Sequence, residues 1–272
     1  MTEEPVDGAG DQPGGSLRGF AAQASRILAP FVSFVFPPAC LCCNTALESP
    51  SAILCAACWG ALEPLDFADA RYLRTFERIT RNGVIDGLAA PYYFQEEGPL
   101  QALVHELKYK GMTRVGTELG LRLAGRIRDA FPGSEPAVII PVPLHPTKLR
   151  ERGYNQAECI ARGMAGALGI PVCPCIVRRV RYTQSQTHLD AEQRENNVAE
   201  AFTIAANVKR RLEGTTVYLV DDVITTGATI RSCARTVKGF GEKRIVACAA
   251  GVAVRPDQGR SALRGSPVIA EG

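Results

Sequence analysis

The chain has no strong excess of either charge. Its 31 Lys and Arg stand against 28 Asp and Glu, a net charge of +3. That is too small to argue for nucleic acid from charge alone. Long hydrophobic runs are missing too. The apolar stretch from Phe20 to Phe36 is interrupted by Gln23, Arg26 and Pro30, so it is too short and too broken to span a bilayer. Positive charge is absent at the extreme N-terminus, where Glu3 and Glu4 stand in place of the Lys or Arg of a secretory signal. These absences lead us to expect a cytoplasmic protein with no transmembrane segment. No internal repeat is visible.

What is present begins with size. A chain of 272 residues, 46% hydrophobic, can bury one large or two small cores. Residues 1 to about 19 are rich in Gly, Pro and acid and read as disordered. Phe20 to Phe36 reads as an amphipathic helix ending near Pro30. We divide the chain into a lead and helix (1–33), a cysteine-rich region with linker (34–82), a larger domain (83–254) and a flexible tail (255–272).

Cysteine is plentiful, with ten residues. Four of them form two Cys-x-x-Cys knuckles, Cys40/Cys43 and Cys55/Cys58, with eleven residues between them. Such pairing suggests a metal rather than disulfides. Two knuckles complete a closed tetrahedral S₄ site, so the expected ion is a structural Zn²⁺. Cys42 is an alternative to Cys40, but adjacent to Cys43 it makes a poor chelate pair. The plain alternative is a set of buried, inert thiols.

Downstream, residues 60–82 read as a partly helical link and Val84 to Phe94 as strand. Leu100 to Tyr109 and Val115 to Ala130 have apolar residues at helical spacing. Ala137 to Val142 is a continuous apolar run, as in a buried parallel strand. Asn155 to Leu168 is a helix stopped by Gly169. Val172 to Val177 reads as strand, 178–197 as a mobile loop or hairpin, and Ala199 to Ile204 as a short strand. Val217 to Asp221, Gly227 to Lys238 and Arg244 to Ala253 read as strand, helix and buried strand. This alternation predicts βαβ units and a parallel sheet.

Three constellations carry chemistry. The first is Val217-Tyr-Leu-Val-Asp221-Asp222-Val-Ile-Thr225-Thr226-Gly227-Ala228-Thr229. A buried strand leads into two carboxylates, then a Thr/Gly turn opening a helix. That turn points N–H groups, hydroxyls and the helix dipole at one spot, where an anion fits. Adjacent carboxylates repel unless something cationic or hydroxylic uses them. A Walker loop would place Lys after the glycine, and here Ala228 follows. The second is Lys148, Arg150 and Arg152 before Asn155, a plausible cap; three cations at a helix start suit pyrophosphate. The third concentrates Arg178, Arg179, Arg181 and Arg194 in a polar stretch. A basic loop closing there would exclude water from the site.

The first constellation resembles the PRPP-binding signature of type I phosphoribosyltransferases. The ordered set of motifs resembles the ComF family, linked to competence and DNA uptake. It comprises the paired Cys-x-x-Cys, Leu107-Lys-Tyr-Lys-Gly111, Pro141-Val-Pro-Leu144, Arg152-Gly-Tyr-Asn-Gln156, Gln186, Arg194-Glu-Asn-Asn-Val198, Ala201-Phe202 and the signature strand. Asn44-Thr45 departs from it, where the family often has a glycine after the second cysteine. The resemblance implies a type I phosphoribosyltransferase α/β fold, a Rossmann-like parallel sheet with a hood, preceded by a small zinc ribbon. It implies that Asp221 and Asp222 hold the ribose hydroxyls, that Thr225 to Thr229 wrap the 5′-phosphate, and that Arg150, Arg152 and the loop arginines neutralise pyrophosphate. Mg²⁺ would bridge diphosphate and ribose, and the reaction would transfer ribose 5-phosphate to an unread acceptor. Tyr92, Tyr93, Phe94 and Tyr182 are candidates to stack on a base. The alternatives are a non-catalytic sensor of PRPP or nucleotide, and an adaptor handling single-stranded DNA with the DNA-uptake machinery. The oligomeric state is unread.

Overall fold

The computed structural model describes residues 38–133, 135–181, 201–205, 208 and 212–254. The expected lead and helix at 1–33, the tail at 255–272, Tyr182, Gln186 and Arg194 lie outside them. The chain divides into two units, Met1–Cys55 and Ala56–Gly272.

In the first unit a small hairpin turns at the first cysteine knuckle. Ala39 and Ala46 form an antiparallel bridge. The Leu47 N–H donates to the Pro38 carbonyl at 2.7 Å, and the Cys40 N–H to that of Thr45 at 2.8 Å. The tight turn needs one left-handed residue, and Asn44 supplies it at φ 58°. Asn tolerates that conformation better than most residues with a Cβ. Leu47, Ile53 and Leu54 are buried.

The second unit opens with two helices, α1 (Ala56–Gly60) and α2 (Ala70–Thr80). Asp69 caps α2 by accepting from the Arg71 N–H. Tyr72, Thr75 and Ile79 form its buried stripe. Strands β1 (Gly87–Ala89) and β2 (Tyr92–Phe94) follow, then α3 (Pro99–Tyr109) and α4 (Thr113–Ala130). Strand β3 (Ala137–Pro141) leads through the short α5 (Pro146–Arg152) to α6 (Gln156–Leu168). Next come β4 (Val177–Arg179), β5 (Phe202–Ile204), β6 (Thr216–Ile224), α7 (Ala228–Val237) and β7 (Arg244–Ala253).

The main sheet is parallel throughout, in the order β3-β6-β7, with both β1 and β2 on the far side of β7. Strand β6 is therefore central, and residues 216–220 are all buried. An unbroken apolar run is what a strand covered on both faces requires. Helices α4 and α6 approach very closely. A Cβ added at Gly120 would lie 2.2 Å from the Ile160 carbonyl oxygen, and one at Gly163 2.3 Å from that of Thr117. Glycine is demanded there by backbone contact.

Two local expectations change. Residues 172–177 do not form a strand: Val172 makes a single parallel bridge to Ile139. The strand starts at Val177 and pairs antiparallel with β5, in a separate two-stranded sheet. The basic run 148–152, read from the sequence as lying just before a helix start, is itself part of a short helix. Pro146 begins it, His145 caps it by accepting from the Thr147 N–H, and Gly153 ends it at φ 82°.

Candidate functional site

The site forms where the strands end at different heights. Strand β3 stops at Pro141, paired with Val220. Strand β6 continues beside β7 alone, through Asp221 and on to Ile224. The carboxylates thus stand on a step of the sheet, within β6 rather than after it. Beyond β3 the chain stays tied down. The Val142 N–H donates to the Val220 carbonyl at 2.8 Å. Asn155 donates from Nδ2 to the Val142 carbonyl at 3.0 Å and caps α6 by accepting from the Ala157 N–H at 3.1 Å. One side chain therefore joins the end of β3 to the start of α6, and so places Gln156.

A cavity of about 360 Å³ opens over this step. Its described walls include the acidic and hydroxyl residues Asp221, Asp222, Thr225 and Thr229 and the cations Lys108, Lys148, Arg152 and Arg179. Phe94, Val104 and Tyr109 supply apolar surface. A second cavity of about 260 Å³ also has Lys108, Tyr109, Lys148 and Arg152 in its walls. Four cations sharing a cavity with two carboxylates make this a place for an anion. Burial, then the cations of Arg179 and Arg152, lower the pKa of Lys148 below its ordinary value. Packing like charges together costs energy that an anionic ligand recovers.

The carboxylates are not equivalent. Asp222 is buried, at 5% exposure. Its Oδ2 meets Lys108 Nζ at 2.9 Å and accepts from Gln156 Nε2 at 2.8 Å. Its Oδ1 accepts from the Val223 N–H at 2.7 Å. Gln156 is held in turn by Arg152, which donates to its Oε1. Asp221 accepts the Asp222 N–H at 2.9 Å. Burial, then repulsion from Asp222, pushes the Asp221 carboxyl up to about 7, with Lys108 and Arg179 pulling the other way. A carboxylate pair in this state suits ligand hydroxyls or a hard cation such as Mg²⁺.

The turn after β6 has its own geometry. Gly227 caps α7 in the left-handed region at φ 79°, and a Cβ there would lie 2.0 Å from Ile79 Cδ1. Thr226 Oγ1 accepts from the Ala228 N–H at 3.4 Å. The structure brings Asp221, Asp222, Thr225, Thr229, Lys148 and Arg152 around one cavity. Thr226, Gly227 and Ala228 build the turn behind it. Arg150 is exposed on α5 and is not among the cavity walls. Arg194 lies outside the described residues. Lys108 and Gln156 were visible in the sequence only as pieces of motifs, and their partner Asp222 is distant along the chain.

The four cysteine sulfurs of Cys40, Cys43, Cys55 and Cys58 lie within 4.8 Å of one another. Zn–S bonds in a tetrahedron put sulfurs about 3.8 Å apart, and Cys43 and Cys55 are separated by 3.6 Å. Cys42 is not in the group. Burial of Cys40 opposes its ionisation, but N–H groups of Cys43, Cys55 and Cys42 outweigh it and bring its thiol down to about 6. The donor set fits a zinc ion.

Comparison with known proteins adds the following. The family described as phosphoribosyl transferase domain matches residues 153–264. "Competence protein F" of Haemophilus influenzae is 35% identical over 150 residues, covering 54% of this chain and 65% of that protein. "DNA utilization protein YhgH" of Escherichia coli K12 is 30% identical over 140 residues, 50% of this chain and 60% of its own length. The matched part of this chain thus spans less than two thirds of either relative. Among solved structures, the glutamine phosphoribosylpyrophosphate amidotransferase from B. subtilis, complexed with ADP and GMP, is 21% identical. It covers 53% of this chain and 30% of its own, at a TM-score of 0.33.

Proposed function

We propose that this chain is a member of the ComF family whose phosphoribosyltransferase-type domain binds PRPP and transfers its ribose 5-phosphate to an acceptor. The observation that carries the reading is one cavity flanked by the Asp221–Asp222 pair, the turn from Thr225 to Thr229, and Lys148 with Arg152. An anion at the turn, hydroxyls at the carboxylates and a second anion at the cations reproduce the layout of PRPP.

In this reading a nucleophile bonds to the anomeric carbon as the carbon–oxygen bond to pyrophosphate breaks. Positive charge develops on the ribose, and Asp221 and Asp222 offset it. Lys148 and Arg152 take the charge of the leaving group, with Arg152 steadied by Gln156. Lys108 balances Asp222 while the site waits for ligand. Bound Mg²⁺ would supply further neutralisation of the diphosphate, held through the carboxylate pair. Phe94 and Tyr109, at the cavity wall, offer faces on which a flat acceptor stacks. In the first unit, Cys40, Cys43 and Cys55, with Cys58, would hold a structural Zn²⁺.

A panel of purine, pyrimidine and nicotinic bases, assayed for release of pyrophosphate from PRPP, tests the activity. Release with one acceptor, lost in Asp221→Asn, is the expected result. Saturable PRPP binding without release from any acceptor would identify a sensor instead.

A further inference from the structure

The turn assigned to the 5′-phosphate is gripped from behind by two guanidinium groups. Arg78, on α2, donates from Nη2 to the Thr225 carbonyl at 3.0 Å. Arg231, on α7, donates from Nη1 to the Thr226 carbonyl, also at 3.0 Å. We infer that Arg78 and Arg231 are positioning residues that set this turn's backbone to receive an anion. The inference rests on the phosphoribosyl reading of the turn.

Peptide planarity gives the reason. In a trans peptide the C=O and the following N–H point in opposite directions, and no peptide bond among the described residues is cis. Holding the carbonyls of Thr225 and Thr226 back toward the arginines turns the N–H groups of Thr226 and Gly227 the other way. Successive N–H groups aimed together form an anion-binding concavity. The two guanidinium charges also add to the positive end of α7. The grip is built into the core. Arg231 is buried at 7% exposure, and Ile79, next to Arg78, is 1% exposed and packs where a Gly227 side chain would sit. Helix α2 lies outside the matched stretch 153–264. The phosphate turn therefore depends on a segment that sequence reading treats as a link.

Arg78 is the residue to test, because buried Arg231 also supports the fold. Arg78→Met keeps the apolar stem, and Arg78→Lys keeps one donor. The probes are ribose 5-phosphate and magnesium pyrophosphate, titrated into the full chain, with thermal melts beside them. Losing one charge-assisted hydrogen bond behind the turn should weaken ribose 5-phosphate on the order of tenfold in Arg78→Met. Arg78→Lys should recover part of that loss. Pyrophosphate affinity, which depends on Lys148 and Arg152, should not move. If Arg78→Met does not fold, Arg78→Lys carries the comparison against wild type. Equal ribose 5-phosphate affinity in variant and wild type overturns the inference and leaves the functional reading standing. A parallel loss of pyrophosphate overturns it in favour of general support of the fold. A wild type that binds neither probe overturns the functional reading, and the inference with it.

Discussion

At the residue scale, the two adjacent aspartates make opposite forecasts. A carboxyl whose pKa rises on folding destabilises the native state as pH climbs from the ordinary carboxylate range toward the raised value. Asp221 is such a group, raised to about 7. Asp221→Asn should therefore raise the melting temperature at pH 8 and change it little at pH 4, in melts without ligand. Asp222 differs, because its charge is used by Lys108 and Gln156. Asp222→Asn should lower stability by about 1.5–3 kcal/mol, the worth of a hydrogen bond to a charged group; urea unfolding measures it. The sequence alone suggests that both Asn variants are tolerated alike, since it shows two carboxylates and not which one has a partner. Gly227 carries a similar lesson. From the sequence it reads as room for ligand, so Gly227→Val should block binding without unfolding. The structure shows a positive φ and Ile79 against the glycine. Gly227→Ala should therefore cost stability directly, about 2–4 kcal/mol from strain and overpacking together. Ile79→Ala in the same chain should recover the packing part, and a double-mutant cycle of melts reads that coupling.

At the element scale, long periodic segments were legible and short ones were not. Helices α3, α4 and α6 have apolar residues at three-to-four spacing, and Asn155 and Gly169 mark the ends of α6. Strands β3, β6 and β7 each hold a continuous apolar run without helical spacing, as a strand buried on both faces requires. The stretch 172–177 failed because Cys173-Pro-Cys175 gives little ladder: Val172 bridges once, and the pairing begins at Val177. The short helix α5 hid behind its charges, although Pro146 at its first turn was an available signal. The Asp pair and the turn were legible because they are contiguous. Lys108, Gln156 and Arg78 join the site only through folding. For the cysteine knuckles the forecast is zinc at one ion per chain by elemental analysis. Cys55→Ser should lose it and speed hydrogen exchange at 38–58. A metal-free wild-type chain with those amides protected would contradict the zinc assignment.

At the scale of the whole molecule, the phosphoribosyl reading gathers the sheet step, the basic helix α5 and the turn before α7 into one purpose. Among the described residues no helix is long and apolar enough to cross a membrane. A mixed surface of small net charge does not by itself draw the chain to DNA, so a salt-dependent shift with single-stranded DNA would have to come from local clusters. The claim on which the rest depends is that PRPP occupies the cavity beside Asp221. Calorimetric titration of PRPP with Mg²⁺ into the full chain and into Asp221→Asn tests it most directly. The account predicts saturable binding at one site per chain, weakened on the order of tenfold to a hundredfold in the variant, as expected for losing a charge-assisted hydrogen bond. No binding by the wild type, or equal affinity in both, would contradict it.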